Sequence, residues 1–212
     1  MAWLFRKRYT GMLISLVVFV TSCKYSGKGI EMNTQRLIQN IIDQIKEAQL
    51  KLGYAEESMY FYFPPDSLND ILQTDMKDEE SLLKELRQAP ALSGSVLGEL
   101  GFELNRGRIQ VRIPPQGARY VKENVPDPAF LWDLIQLFSQ GHNLTIERIK
   151  NCFQKFSNNY VCEATSGDSE FDYVLYFVEE SIDSYYYCVK MEMGHTIYHR
   201  FTREDYRRLV KV

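Results

Sequence analysis

The chain has 212 residues, with 25 Lys or Arg against 28 Asp or Glu and a hydrophobic fraction of 45%. That supplies one domain with a real core and leaves little for a second. Residues 1–31 carry five of the basic side chains and one acidic one, so residues 32–212 hold 20 basic and 27 acidic groups, a net of −7. An acidic body argues against broad binding to a phosphate backbone, which needs clustered Lys and Arg.

The first residues read as a targeting segment. Arg6, Lys7 and Arg8 form a basic start, and Met12 to Val20 an apolar run too short for a comfortable transmembrane helix. Val20-Thr21-Ser22-Cys23 then resembles the lipobox of bacterial lipoproteins, with Cys23 as the lipidation candidate and Lys24–Gly29 as a tether. On this reading the protein is anchored at the cell membrane, and only through an acylated Cys23. The alternative reading is cytoplasmic, with translation starting at Met32. Gly-Lys-Gly-Ile-Glu-Met is open to purine-rich codons resembling a ribosome-binding site. The remaining cysteines, Cys152, Cys162 and Cys188, form neither a disulfide framework nor a zinc spacing and read as small buried thiols.

Along residues 34–52, Ile38, Ile41, Ile42, Ile45, Ala48 and Leu52 recur at helical spacing, with Asn33 or Thr34 as cap and Gly53 as stop. Met59 to Phe63 predicts a strand halted by Pro64-Pro65, followed by a helical turn through Leu68, Ile71 and Leu72. Leu82, Leu83 and Leu86 give a short helix ending near Pro90, and Ala91 to Gly98 reads as a loop. Phe102 and Leu104 lead into Asn105-Arg106-Gly107, a hairpin turn, with Ile109, Val111 and Ile113 returning. Ala118 to Asn124 predicts a helical turn. Asp127-Pro128 opens a helix, with the proline at its first position and Gly141 ending it. Thr145 caps another helix through Phe156, and Tyr160 to Thr165 is a strand. Three times a strand runs directly into a helix, at Phe63-Pro64, Ile113-Pro114 and Phe201-Thr202, a weak architectural echo.

The stretch Phe171–Phe201 carries three β-rich runs. Leu175 and Phe177 alternate with Val174 and Tyr176, so this strand is apolar on both faces and belongs in the middle of a sheet. Tyr185, Tyr187, Val189 and Met191 oppose the mixed set Tyr186, Cys188, Lys190 and Glu192. Gly194 supplies a tight turn, after which His195, Ile197, His199 and Phe201 share one face. Thr202 caps a short C-terminal helix through Tyr206 and Leu209. The fold class is therefore α+β, a single domain with an antiparallel sheet ending in a β-meander and covered by amphipathic helices.

Motifs for chemistry are missing. GxGxxG, GxxxxGK[ST], GxSxG and HExxH do not occur, so neither a cofactor nor a metal site is expected. His195 and His199 stand at metal-pair spacing for a helix, but on a strand their Cα atoms lie roughly 13 Å apart, too far for one ion. A Cys188 site with His195 or His199 across the hairpin is the enzyme alternative, and it lacks any visible source of a depressed thiol pKa. Residues 128–178 carry the helix–turn–helix–hairpin order of a winged helix, with Arg148, Lys150, Asn151, Gln154 and Lys155 exposed. Against DNA binding stand Leu137 where a small residue is wanted, Glu147 and Lys150 at apolar positions, and the acidic body.

The stretches IIDQIKEAQLKLGY (41–54), FPPDSLNDIL (63–72), IPPQGARYV (113–121), EFDYVLYF (170–177) and GHTIYHRFTREDY (194–206) resemble an uncharacterised bacterial domain-of-unknown-function family, DUF3877, over nearly all of 32–212. The resemblance implies no activity, cofactor or catalytic residue. It implies a start near Met32, from which residues 1–31 depart. The expectation is thus a non-catalytic interaction or ligand-sensing domain, with an unknown protein or small ligand as partner and nucleic acid disfavoured. Its surface-site candidates are Tyr186, Tyr198, His195 and His199.

Overall fold

A computed structural model describes residues 32–140, 144–166, 169–192 and 195–209. Helix α1 (Thr34–Leu52) starts where the Asn33 side chain accepts the Arg36 N–H, and it stops at Gly53, whose φ of 83° is open to glycine. Strand β1 (Met59–Phe63) turns at Pro64 directly into α2 (Pro65–Leu72). The short helices α3 (Glu79–Gln88) and α4 (Pro90–Ser93) then lead to β2 (Gly101–Asn105), β3 (Arg108–Ile113) and α5 (Pro115–Asn124). The second half holds α6 (Ala129–Ser139), α7 (Ile146–Gln154), β4 (Tyr160–Ala164), β5 (Tyr173–Phe177), β6 (Tyr186–Glu192), β7 (His195–Phe201) and α8 (Arg203–Leu209).

In the bounds of individual elements the sequence expectations differ from this in three places. Pro90 opens one helical turn in the expected loop, because Leu92 needs burial. Pro115 at the helix start extends the expected turn at Ala118 into a full α5. Pro128 stands ahead of α6 rather than inside it; Asp127 is taken by the buried ammonium of Lys46, 3.0 Å away. The expected helix end at Gly141, the turn at Gly194 and the segment 1–31 lie outside the described residues.

The antiparallel strands divide between two sheets, in the orders β1-β3-β2 and β4-β5-β6-β7. Each sheet has its own core. Leu37, Ile41, Leu68, Leu82, Leu97 and Val111 belong to the first, which is mostly aliphatic, with Phe63 and Phe102 in it. Phe130, Phe153, Phe177 and Tyr187 dominate the second, which packs α6 and α7 on the meander. Strand β5 is central, as its two apolar faces require. Helix α1 serves both cores: Leu37, Ile41 and Ile45 enter the first, and Leu50 packs against the second.

Candidate functional site

Where α1 crosses from one core to the other, its polar stripe meets the inward face of β6 and β7. Asp43, Glu47 and Lys51 recur every fourth residue and so lie along one side of the helix. On β7, Tyr198 and Arg200 occupy the inward phase. The register sets Arg200 beside Tyr187 of β6.

Arg200 centres the cluster, with 8% of its side chain exposed. Its Nη1 donates to Glu47 at 3.0 Å and its Nη2 to Asp183 at 3.2 Å, while the guanidinium lies 3.6 Å from the Tyr185 ring centre. Its Nε has no partner. Asp183 sits in the connection from β5 to β6. It accepts the Tyr185 N–H two residues on, at 2.9 Å, and the Tyr187 hydroxyl at 3.0 Å. The Tyr185 hydroxyl donates to Asp43 at 2.9 Å and that of Tyr198 to Glu47 at 3.3 Å; Lys51 adds 2.7 Å to Glu47.

Burial raises the pKa of the Glu47 carboxyl, and the neighbouring Arg200 and Lys51 outweigh it, so the net shift is downward. At Asp183 burial prevails over Arg200 and the two tyrosine donors, and the shift is upward. Burial also drives Tyr185, Tyr187 and Tyr198 upward, so all three remain O–H donors near neutral pH. The arrangement orients the hydrogen bonds of the cluster.

Two lobes of a cleft open beside it. One, of about 370 Å³, is lined by Gln44, Glu47, Tyr198 and Arg200; the other, of about 260 Å³, by Arg36, Asp43, Ser184 and Arg203. Asn40, Ile71, Tyr185 and Thr202 border both, so the lobes adjoin. The start of α8 forms one wall. It is fastened by Arg36 to Glu204 at 2.7 Å, Arg203 to Glu180 at 2.8 Å, and the Ser67 hydroxyl to Asp205 at 2.8 Å.

Of the residues singled out in the sequence, Tyr198 and His199 both border the lobe of about 370 Å³, and the others do not join them there. Tyr198 faces inward, in this cluster. Tyr186 lies on the opposite face of the sheet, stacked between Tyr176 at 4.2 Å and Tyr206 at 4.7 Å. His195 and His199 are exposed on that outer face, His199 against the Phe171 ring at 5.3 Å. Cys188 pairs with His199 in register, but its thiol is buried and desolvation pushes its pKa up to about 12, opposite to what a nucleophile needs. On α7 and at its C-terminal cap, Lys150 pairs with Glu147, Lys155 with Asp133, and Arg148 bonds Gln140. Cys23 lies outside the described residues. No group of three or more His, Cys, Asp or Glu able to hold a metal ion occurs among the described residues.

The model of a family described as "Domain of unknown function, E. rectale Gene description (DUF3877)" matches residues 34–210. The chain belongs to this family. No curated protein and no solved structure matches the DUF3877 chain. Sequence reading of this DUF3877 domain missed Glu47, Asp183 and Arg200. The available signal was Arg200 itself, a charge standing in the core-facing phase of β7 directly after Tyr198.

Proposed function

We propose that this domain is a non-catalytic binding module that holds a small polar ligand in the two-lobed cleft beside Arg200. The observation that carries this reading is a nearly fully buried guanidinium, clamped by two carboxylates, whose Nε lacks a partner and which borders a cleft of ligand size. Around it stand the amides of Asn40 and Gln44, with Gln44 Nε2 donating to Asn40 Oδ1, and the hydroxyls of Tyr185 and Thr202, which donate to Asp43 and Asp205. The tyrosines stay protonated and the Cys188 thiol lies on the other face of the sheet, so neither is placed as a nucleophile toward the cleft.

The test is a thermal-shift screen of the full chain against a defined panel of free amino acids, monosaccharides, nucleotides and inorganic anions. At least one panel member is expected to raise the melting temperature of the wild type. It is expected to lose that effect with Asn40→Ala, which removes an amide shared by both lobes. A panel that shifts nothing, or a shift that survives Asn40→Ala unchanged, would overturn the reading.

A further inference from the structure

The two edges of the three-stranded sheet are treated differently. The β2 edge is met at one point: Arg87 of α3 donates from Nε and Nη2 to the Phe102 carbonyl at 3.0 and 2.8 Å. The β1 edge has no such cover. Among the described residues, no donor or acceptor from another segment reaches the free side of Met59–Phe63. Its sequence, Met-Tyr-Phe-Tyr-Phe, holds no charge and no proline, the usual devices against edge pairing.

Which backbone groups this edge offers follows from the neighbouring hairpin. Arg106 and Gly107 close β2 onto β3 with φ of 52° and 72°, a two-residue turn of type I′. The residues flanking such a turn, Asn105 and Arg108, form a hydrogen-bonded pair, and the pattern alternates from there. Arg108, Gln110 and Arg112 therefore bond toward β2, and Ile109, Val111 and Ile113 toward β1. Their partners in register are Phe63, Phe61 and Met59, which leaves the N–H and C=O of Tyr60 and Tyr62 pointing outward. The same phase puts the Phe102 carbonyl on the outside of β2, where Arg87 meets it.

We propose that this edge pairs with the same edge of a second copy of the chain, across a two-fold axis at Phe61. The run Tyr60-Phe61-Tyr62 reads the same in both directions, so antiparallel self-pairing about Phe61 sets Tyr60 opposite Tyr62 of the second copy, and the reverse. Those are the residues whose backbone groups are free, and the two pairs close four hydrogen bonds into a continuous six-stranded sheet. Phe61 meets its own counterpart at the non-hydrogen-bonded position, where side chains approach closest. On the solvent face, the tyrosine rings, each about half exposed, cover one another. On the core face, Met59 and Phe61, only partly buried in the single chain, extend the aliphatic core.

Area and charge fix the strength. Pairing five residues buries less than the roughly 800 Å² per partner of a standard stable complex, so the dimer is weak and concentration-dependent. No charged residue sits in either strand. The net charge of −3 on the full chain, with −7 on residues 32–212, repels at long range, and added salt tightens the dimer by screening this repulsion.

Sedimentation equilibrium of the full chain over a concentration series is expected to show the 24.9 kDa monomer giving way to a dimer. The dissociation constant should fall as salt rises. Tyr62→Pro removes an outward N–H that β3 does not use, and should raise that constant at least about tenfold with the far-ultraviolet circular dichroism unchanged, a change of 1.4 kcal/mol. Tyr60→Lys places like charges at the seam and serves as the second variant should the proline disturb the fold. A wild type that stays monomeric throughout, or a dimer that survives both variants, overturns the proposal. So does protection of the Tyr60 and Tyr62 amides from exchange in the dilute monomer, which would mean the chain covers this edge itself.

Discussion

The two cores differ in how they enforce a structure. The first is built mainly from Leu, Ile and Val on α1–α5 and its sheet, with Phe63 and Phe102 among them, and shape is matched chiefly by aliphatic volume. The second turns on the Phe130 ring, edge-on to Phe153 at 4.7 Å, Phe177 at 4.7 Å and Tyr187 at 5.5 Å. Tyr187 then carries that geometry into the polar seam through its hydroxyl on Asp183. Aliphatic packing tolerates exchanges that keep volume, whereas edge-to-face rings and a tethered hydroxyl fix direction as well. The domain thus places its most geometrically determined core against its candidate site.

The largest effect tests that coupling. Arg200→Ala leaves Glu47 and Asp183 buried without their shared cation, and urea unfolding is expected to show a loss of about 3–5 kcal/mol. The triple variant Arg200→Met, Glu47→Gln, Asp183→Asn should regain most of it, since an uncharged replacement of a buried charge cluster is often neutral. A loss below about 1 kcal/mol for the single variant would mean that the seam is solvated and the two cores are uncoupled.

Next comes the contrast between the cores. Phe130→Leu should cost about 2–3 kcal/mol, from lost volume plus several edge-to-face pairs. Leu68→Met, at an equally buried aliphatic position, should cost less than about 1.5 kcal/mol. Equal costs would erase the distinction between directed and volume-only packing.

Acid titration separates the two carboxylates. Glu47 has a folded pKa below the ordinary 4.5, so its contribution is complete above that value and is lost as pH falls through the folded one. Asp183 has the opposite sign: a folded pKa above the ordinary 3.8 gives a contribution present below 3.8 and lost as pH rises through the folded value. Glu47→Gln should therefore flatten the fall of unfolding midpoint with acid, and Asp183→Asn should leave it steep. The smallest effect is expected at the rim of the second core. Lys155→Ala removes an exposed pair with Asp133 and should leave the unfolding midpoint unchanged within measurement error.

Most elements were legible because their signals are local. The isoleucine spacing of α1, the prolines after β1 and β3, the Asn-Arg-Gly turn and the alternation of β5 to β7 each lie within a few residues. The division into two sheets was not legible, because β1 pairs with β3 across three intervening helices and one strand, and no local pattern encodes that partner. The seam was hidden for the same reason. Glu47 and Arg200 are 153 residues apart, and each looks alone like an ordinary surface charge. Tyr186 and Tyr198 were identified by residue type, and only the register shows that they face opposite ways.

That difference in pairing distance also bears on the order in which the chain folds. Every neighbouring pair in β4-β5-β6-β7 is consecutive in sequence, so the meander closes short loops and loses little chain entropy before its contacts form. Met59 must find Ile113 with α2, α3, α4 and β2 still to be arranged between them. In pulse-labelled hydrogen exchange during refolding, amides of β5 and β6 should gain protection before those of β1. The nascent protein would then display its tyrosine-rich meander while the strand that carries Tyr60 and Tyr62 is still searching for a partner.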